Sequence, residues 1–267
     1  MINQSIGISS KLNFPHSYSF MGIKVNAFSI ETLMFAVHDL VSRKKKTIIA
    51  NHNLNSLSLV RKDAEMNRFY SLADAVHIDG MPIVFIGRLL GFPLSRVNRI
   101  TYVDWTPHIM RAAAKKHWQI CYVGSKLGVG EQAVQILCKS YQNLKIKTHH
   151  GYFDVNSLKE NRNVQNFVND CNPDILMIGM GMPRQEKWIL KNLDKLPDCL
   201  ILPCGAALDY EAGITPTPPR WAGCLGFEWL CRLVAEPKRL WRRYLKEPWS
   251  LVMPFAKELR SMRIKGQ

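Results

Sequence analysis

The chain has 267 residues and 47% hydrophobic content, which suits one large globular domain or one domain with an appendage. Its formal net charge of +15 predicts an anionic partner: a phosphorylated substrate, an anionic membrane surface or a nucleic acid. No apolar run approaches the roughly 20 residues that span a bilayer. The N-terminus also lacks a signal-peptide pattern, so we expect a cytoplasmic protein.

The cysteine and histidine patterns argue against two further kinds of site. The seven cysteines form no C-x-x-C pair, and the eight histidines form no ligand-spaced cluster. An odd number of cysteines, mostly within apolar runs, is typical of buried free thiols. We therefore predict neither a disulfide framework nor a metal site.

Strands and helices alternate along most of the chain. Residues 1–20 carry no clear pattern and are predicted to form a flexible N-terminus. Helical segments then separate a series of mostly apolar strands: MGIKVNAFS, TIIAN, DAVHID, WQICYVG, LKIKTHHG, DILMIG and CLILPCG. Such alternation is typical of a parallel sheet covered by helices on both faces. The sequence thus predicts an α/β, Rossmann-like domain over residues 21–220.

Polar and glycine residues that follow these strands are the candidate ligand contacts. Ligands bind beyond the carboxyl ends of the strands in such sheets, so we expect these residues to meet at one edge. The candidates are Asn51, Asn53, Asp79, Gly124, Ser125, Gly181, Gln185, Glu186 and Asp209.

Three of these turns each allow two interpretations. In HIDGMP, Asp79 either caps the following helix or acts as a general base at the sheet edge. In VGSKLGVG, the glycines either admit a phosphate or permit tight strand–helix packing, and their spacing differs from the dinucleotide fingerprint. In ILMIGMGMPRQEKWIL, the turn is either a ligand site or a plain connection between strand and helix.

A polar loop and the C-terminal segment hold the basic candidates. In RVNRITYVDW, Arg99 and Asp104 follow a helix, and the arginine either binds an anion or is solvated. From Arg220 to Gln267, eleven Lys and Arg stand against four Glu, and three prolines are predicted to break the segment into short helices. Residues 221–267 fit a solvated surface, a nucleic-acid face or a membrane appendage. Trp and Leu beside cations favour the membrane.

Six segments together resemble the WecG/TagA/CpsF glycosyltransferases over roughly residues 20 to 247. They are ADAVHIDGMPIVFIGRLLG, ICYVGS…GV…A, HHGYF, PDILMIGMGMPRQEKWI, GAALDYEAG and GFEWLCRLVAEPKRLWRRYL. The most specific signatures are the G-x-P-x-Q-E-x-W turn and the E-W-x-x-R-L-x-x-E-P-x-R tail.

The resemblance implies an inverting transfer of a sugar from a UDP-sugar to a polyprenyl-pyrophosphate-linked sugar, in exopolysaccharide or other cell-surface polysaccharide biosynthesis. It implies no cofactor and no metal, and the chain has no D-x-D motif at a strand end. The expected partners are therefore the UDP-sugar, the lipid-linked acceptor and an anionic membrane surface, with no nucleic acid. The expected location is peripheral, on the inner face of the plasma membrane.

The resemblance also assigns roles to individual residues. It implies that Asp79 is the catalytic base and that Asn53, Arg99 and Gln185 line the substrate pocket. Three arginines of the tail would close over the donor diphosphate: Arg232, Arg239 and Arg242.

Two departures from the family pattern lie close to where the sugar would bind. Asn51-His52-Asn53 stands where many members read Thr-Pro-Asn, and Tyr102 stands where many have glycine. Both glucose and N-acetylmannosamine are therefore expected as possible types of donor sugar.

A different class of function also fits the composition. A non-catalytic nucleotide- or nucleic-acid-binding protein would use the basic C-terminal tail for binding alone. Strongly salt-sensitive DNA binding without sugar transfer would distinguish it from an enzyme.

Overall fold

The computed structural model describes residues 14–215, 228–235, 237–241, 245 and 249–265. Its strands are β1 (Ser17–Phe20), β2 (Ile23–Asn26), β3 (Thr47–His52), β4 (Ala75–Ile78), β5 (Gln119–Gly124), β6 (Lys145–His149), β7 (Ile175–Gly179) and β8 (Leu200–Pro203). Its α-helices are α1 (Ile30–Arg43), α2 (Leu54–Lys62), α3 (Ala64–Leu72), α4 (Met81–Leu89), α5 (Tyr102–Lys116), α6 (Val129–Ser140), α7 (Leu158–Cys171), α8 (Arg184–Asn192), α9 (Ala207–Glu211), α10 (Glu228–Ala235), α11 (Pro237–Trp241) and α12 (Trp249–Lys265). Two short 3₁₀ helices span Arg96–Asn98 and Leu193–Lys195.

Six strands form a central parallel sheet in the order β4–β3–β8–β7–β5–β6. Helices connect successive strands and lie on both faces. The predicted α/β, Rossmann-like fold with a helical C-terminal segment is confirmed.

Side chains from successive strand residues enter two different hydrophobic clusters, because neighbouring residues on a strand point to opposite faces. Ile120 and Tyr122 of β5 belong to the cluster that includes residues of α1, α5 and α6. Cys121 and Val123 belong to the cluster that includes residues of α7 and α8. Burial on both faces explains why these strands read as continuous apolar runs.

The prediction of a flexible N-terminus is wrong for Ser17–Phe20. This segment is β1, which pairs antiparallel with β2 from Ser17 opposite Asn26 to Phe20 opposite Ile23. Phe20 is buried, and the Asn26 side chain accepts a hydrogen bond from the Val76 N–H at 3.0 Å. The hairpin is therefore tied to the outer strand β4.

The pattern NSLSLVRKDAEMNRFYSLA predicts one helix, but the structure has two helices there. Asp63 ends α2 with an extended backbone (φ −130°) and begins α3. Its carboxylate accepts hydrogen bonds from the N–H groups of Glu65 and Met66, at 3.0 and 3.3 Å. An aspartate at this position satisfies the first N–H groups of a new helix, which breaks an otherwise continuous helical pattern.

Strands β3 and β8 pair only at their amino ends. The ladder joins Thr47 with Leu200 and Ile48 with Ile201, and stops there. Further along, the Asn51 Nδ2 donates to the Pro203 carbonyl oxygen at 2.9 Å and links the two strands through a side chain. The backbone ladder thus ends before the carboxyl ends of the two strands. We call this edge of the sheet, where ligands of such folds bind, the crevice.

The C-terminal helix α12 packs on the Rossmann-like domain. Leu251 is 5% exposed and lies in a cluster with residues of β1, β2, α2 and α4, against which Phe255 and Leu259 also pack. The hydroxyls of Ser250 and Ser58 lie 3.5 Å apart. The prediction that Pro254 breaks the segment is wrong, because α12 continues through it. Packing of residues on both sides of the proline offsets its helix-breaking cost.

None of the helices in the described part of the chain combines the length and apolar character needed to cross a bilayer.

Two histidines lie on the buried strands β3 and β4. Burial lowers the pKa of His52 to about 3, with a further contribution from His77. Burial also lowers the pKa of His77 to about 4, against a small opposing effect of the Ile78 and Ile100 backbone. Both are therefore neutral in the folded protein, whereas in the unfolded chain they take up protons near pH 6.5.

This difference predicts that acid destabilises the fold. Because folding depresses both pKa values, the stabilisation is complete above pH 6.5 and is lost as the pH falls toward 4 and 3. Between pH 7.5 and 5.5 each histidine should reduce the free energy of unfolding by about 1.4 kcal/mol. Urea unfolding of wild type, His77→Phe and, as a control, the exposed His108→Asn tests this. His77→Phe should show a smaller pH dependence, and an equal slope in all three proteins would contradict the interpretation.

Candidate active site

Asp79 directly follows β4 at the crevice edge of the sheet. Its backbone N–H donates to the His52 carbonyl oxygen at 2.8 Å and so extends the β3–β4 ladder by one residue. Helix α4 begins only at Met81, and its N-cap is Gly80. Asp79 therefore stands one residue before the N-cap position, between the end of β4 and the start of α4.

Arg99 lies beside the strand that carries Asp79. Arg99 forms a parallel bridge with Ile78, and the N–H of Ile100 donates to the Ile78 carbonyl oxygen at 2.8 Å. The Arg99 side chain is only 10% exposed. The alternative that this arginine is a solvated loop residue is therefore wrong.

Asp104 holds Arg99 in place. Its carboxylate lies 3.0 Å from the Arg99 Nη1 and also accepts a hydrogen bond from the Thr101 hydroxyl at 2.8 Å. Asp104 is in the first turn of α5, which Thr101 caps, rather than in the loop predicted from the sequence. With 43% of its side chain exposed, Asp104 orients the more buried arginine from the solvent side.

Asn53 caps helix α2 directly after β3. Its Oδ1 accepts hydrogen bonds from the N–H groups of Asn55 and Ser56, at 3.0 and 3.1 Å, which caps α2. The side chain passes close to Gly80, whose added Cβ would lie 3.9 Å from the Asn53 Cβ. Capping thus fixes Asn53 beside the Asp79 turn, and its contact with a substrate stays a prediction.

Gln185 joins the turns that follow β7 and β8. Its Oε1 accepts hydrogen bonds from the N–H groups of Gly181 and Gly205, at 3.0 and 3.1 Å. Its Nε2 donates to the Glu186 carboxylate at 2.8 Å. Both side chains are buried, so this turn is more than a plain connection between strand and helix. Gln185 shapes the crevice wall by fixing the backbone of two loops.

The glycines at the ends of β5 and β7 are required by packing. A Cβ on Gly124 would lie 2.5 Å from the Tyr122 hydroxyl and 2.6 Å from the Gly179 Cα. A Cβ on Gly130 would lie 3.1 Å from the Thr148 side chain, where α6 crosses β6. Packing therefore accounts for Gly124 and Gly130 of VGSKLGVG, whereas an added Cβ on Gly128 would meet no atom within 4 Å. Contact of this loop with a phosphate stays a prediction.

Ser125 and Asp209 lie beside the same group of strand ends. The Ser125 hydroxyl is 2.6 Å from the Tyr122 hydroxyl, and the residue adopts a left-handed backbone (φ 57°). Asp209 is in the first turn of α9, directly after β8. Burial raises the pKa of Tyr122 well above its ordinary value; Cys204 and, more weakly, Asp209 raise it further. The two predicted residues thus lie on the β5–β8 side of the crevice.

Two tyrosines near the crevice were missed as site residues from the sequence. Burial raises the pKa of Tyr70 well above its ordinary value, and the charges of Glu186 and Asp79 raise it further. The pKa of Tyr102 is raised in the same way by burial, then by Cys204 and the same two carboxylates. Asp79, Glu186 and the two phenols therefore share one electrostatic environment. The one sequence signal for either tyrosine was that Tyr102 stands where many members of the family have glycine.

Three predicted residues in the tail receive no side-chain description. Arg232 lies on α10 and Arg239 on α11, but their side chains are outside the described part of the structure. Arg242 lies outside the described residues altogether. Their assignment to the donor diphosphate stays a prediction.

No group of three or more His, Cys, Asp or Glu side chains within the described residues is arranged to hold a metal ion. Arg99, which is bridged to Ile78, is a cationic residue beside the Asp79 end of β4.

Comparison with known proteins identifies the family. Two similar relatives are proteins of Staphylococcus aureus strains MRSA252 and NCTC 8325 / PS 47, each named N-acetylglucosaminyldiphosphoundecaprenol N-acetyl-beta-D-mannosaminyltransferase. Each is 27% identical over 207 residues, which cover 74% of this chain and 79% of the relative. The model of the Glycosyl transferase WecG/TagA/CpsF family matches residues 18–265, nearly the whole chain. The chain belongs to the WecG/TagA/CpsF family of glycosyltransferases.

Proposed function

We propose that this enzyme transfers a hexose from a UDP-sugar to a polyprenyl-pyrophosphate-linked sugar, with inversion, during assembly of a cell-surface polysaccharide such as an exopolysaccharide. The observation that carries the proposal is the placement of Asp79 beside Arg99 at the carboxyl end of β4. The names of the S. aureus relatives support the substrate class, because they specify a diphosphoundecaprenol-linked acceptor sugar.

The reaction is a displacement at the anomeric carbon of the donor. Asp79 takes the proton of the acceptor hydroxyl while the oxygen of that hydroxyl forms a bond to the anomeric carbon. On the opposite face the bond from that carbon to the diphosphate oxygen breaks, and UDP leaves with the electron pair. Asp79 thus supplies the general base that a single displacement needs.

Positive charge must stabilise the departing diphosphate. Arg99 is bridged to Ile78, the residue before Asp79. The Asp104 carboxylate holds the Arg99 guanidinium in one orientation. A planar guanidinium suits phosphate oxygens. Arg232, Arg239 and Arg242 of the tail would add to this charge, as the family resemblance implies.

The donor sugar is of the N-acetylmannosamine or glucose type. The names of the S. aureus relatives specify transfer of N-acetylmannosamine. The departures at His52 and Tyr102 lie in the crevice region and favour a different substituent pattern on the hexose, such as that of glucose.

Helix α12 supports attachment to the inner face of the plasma membrane. Leu251, Phe255 and Leu259 recur every four residues and pack on the domain. Trp249 and Met253 lie on another face and are 77% and 68% exposed. Exposed Trp and Met beside the basic residues of the tail suit an anionic bilayer surface.

The first test of the proposed function concerns Asp79. Asp79→Asn should reduce kcat by about 10²–10⁴-fold, because it removes the general base and keeps the side-chain shape. The assay is UDP release from a donor panel with a synthetic lipid-pyrophosphate-sugar acceptor, and the anomeric configuration of the product tests inversion. The exposed Asp170→Asn should behave like wild type. Near-normal kcat in Asp79→Asn would contradict the mechanism, and salt-sensitive DNA binding without transfer would favour a binding protein.

The second prediction concerns metal ions. We expect transfer to be unchanged by EDTA, since arginines are proposed to carry the leaving-group charge. The measurement is the initial rate before and after chelation and after addition of Mg²⁺ or Mn²⁺. A loss with EDTA that either ion restores would show that arginines alone do not stabilise the diphosphate.

The third prediction separates the two faces of α12. Replacing Trp249 and Met253 by Ser should weaken sedimentation with anionic liposomes and leave the melting temperature unchanged, because both side chains are exposed. Leu251→Ala should destabilise the protein by about 2–5 kcal/mol, since it leaves a cavity against the domain. Equal liposome binding by wild type and the double variant would remove this face from membrane attachment.

A further inference from the structure

The hydroxyl of Tyr102 is buried without a hydrogen-bond partner among the described residues. The residue is the first of α5 and is 7% exposed. Buried hydroxyls are nearly always paired within a protein, because desolvation without a hydrogen bond is unfavourable. An unpaired one next to a reaction site suggests that its partner is the substrate.

Backbone geometry places Tyr102 beside the end of β4. Its ring meets the His77 ring edge-to-face, with centroids 6.0 Å apart, and lies 5.3 Å from the Trp105 ring. His77 is two residues before Asp79 on the same strand. The Ile100–Ile78 hydrogen bond fixes the segment that leads into Tyr102. Tyr102 thus lies three residues after Arg99 on the segment bridged to β4, with its ring against His77, two residues before Asp79.

The surroundings keep this hydroxyl protonated, so that it acts as a donor. Burial raises the pKa of Tyr102 well above its ordinary value, and Cys204, Asp79 and Glu186 raise it further. His77 is not the missing partner of the hydroxyl. In the described part of the structure, neither of its buried ring nitrogens forms a hydrogen bond.

Tyr70 provides a contrast within the same region. Its hydroxyl donates to the Asn51 carbonyl oxygen at 2.8 Å, and its ring stacks on His52 with centroids 3.9 Å apart. That phenol is satisfied by the protein and braces the end of β3. Of these two neighbouring phenols, only Tyr102 lacks a partner among the described residues.

We propose that the Tyr102 hydroxyl donates a hydrogen bond to a hydroxyl oxygen of the transferred hexose and thereby helps to select the donor. The inference rests on the proposed function, in which Arg99 faces the diphosphate and Asp79 faces the acceptor. The hexose lies between these two groups, which is the position that Tyr102 adjoins. The Tyr102 hydroxyl forms this hydrogen bond only in the complex. In the free protein the unpaired hydroxyl lowers the stability of the fold.

Tyr102→Phe tests this idea, because it removes the hydroxyl and keeps the ring. The melting temperature should rise, since an unpaired buried group is removed. Calorimetric titration should show unchanged affinity for UDP and an affinity for the UDP-hexose about three- to tenfold weaker, with a similar loss in kcat/KM. The titrations use UDP, UDP-glucose and UDP-N-acetylmannosamine.

Two controls make the outcomes distinct. Tyr70→Phe should lower the melting temperature, because that hydroxyl has a partner in the protein. Tyr141→Phe, at the end of α6, should leave all affinities unchanged. If Tyr102→Phe melts higher but binds and uses the hexose donor as well as wild type, or if it melts lower, the proposal is overturned. If wild type binds UDP and neither sugar nucleotide, the proposed function itself fails.

Discussion

The site depends on side-chain amides that take over where the backbone ladder ends. Backbone groups at the carboxyl ends of diverging strands lose their ladder partners, and buried groups of this kind must be satisfied. Asn51 bonds the carbonyl oxygen of Pro203, and Gln185 accepts from the N–H groups of Gly181 and Gly205. These bonds let the strands separate without leaving polar groups exposed to an apolar core. The backbone at this edge is therefore held in place, as the roles proposed for Asp79 and Arg99 require.

Several titratable side chains around the crevice are uncharged near neutral pH because they are buried. His52 and His77 are buried under the site, with pKa values lowered by burial to about 3 and about 4, so neither adds positive charge near neutral pH. Burial also keeps Tyr70 protonated beside the carboxylates. The neutral histidines and phenols thus add no charge of their own beside Asp79, Glu186 and Arg99. A base and a cation can act on opposite ends of one substrate only if neighbouring groups do not neutralise them.

The sequence predicted the sheet and the strand-end residues because periodicity and turn composition are local signals. Asp79 was placed at the end of its strand from HIDGMP alone, although only the structure showed that Gly80 takes the N-cap position. The burial of Arg99 and the unpaired state of Tyr102 depend on groups distant in sequence, so no local pattern reveals them. The strand Ser17–Phe20 was missed for the same reason, since its burial depends on a hairpin that lies against β4.

The position of the C-terminal helix α12 also depends on contacts between residues that are distant in sequence. The composition of the C-terminal segment indicated an appendage, yet α12 contributes Leu251 to a cluster shared with α2, and Ser250 lies 3.5 Å from Ser58 of that helix. Helix α2 begins at the cap formed by Asn53, which the family resemblance assigns to the substrate pocket. Helix α12 presents one face to the domain and exposes Trp249 and Met253 on another. A single intervening helix therefore links the surface that is proposed to face the membrane with the residue that is proposed to line the pocket. Because packed helices move as rigid elements rather than deforming continuously, attachment at one face of α12 constrains where α2 and its cap can lie.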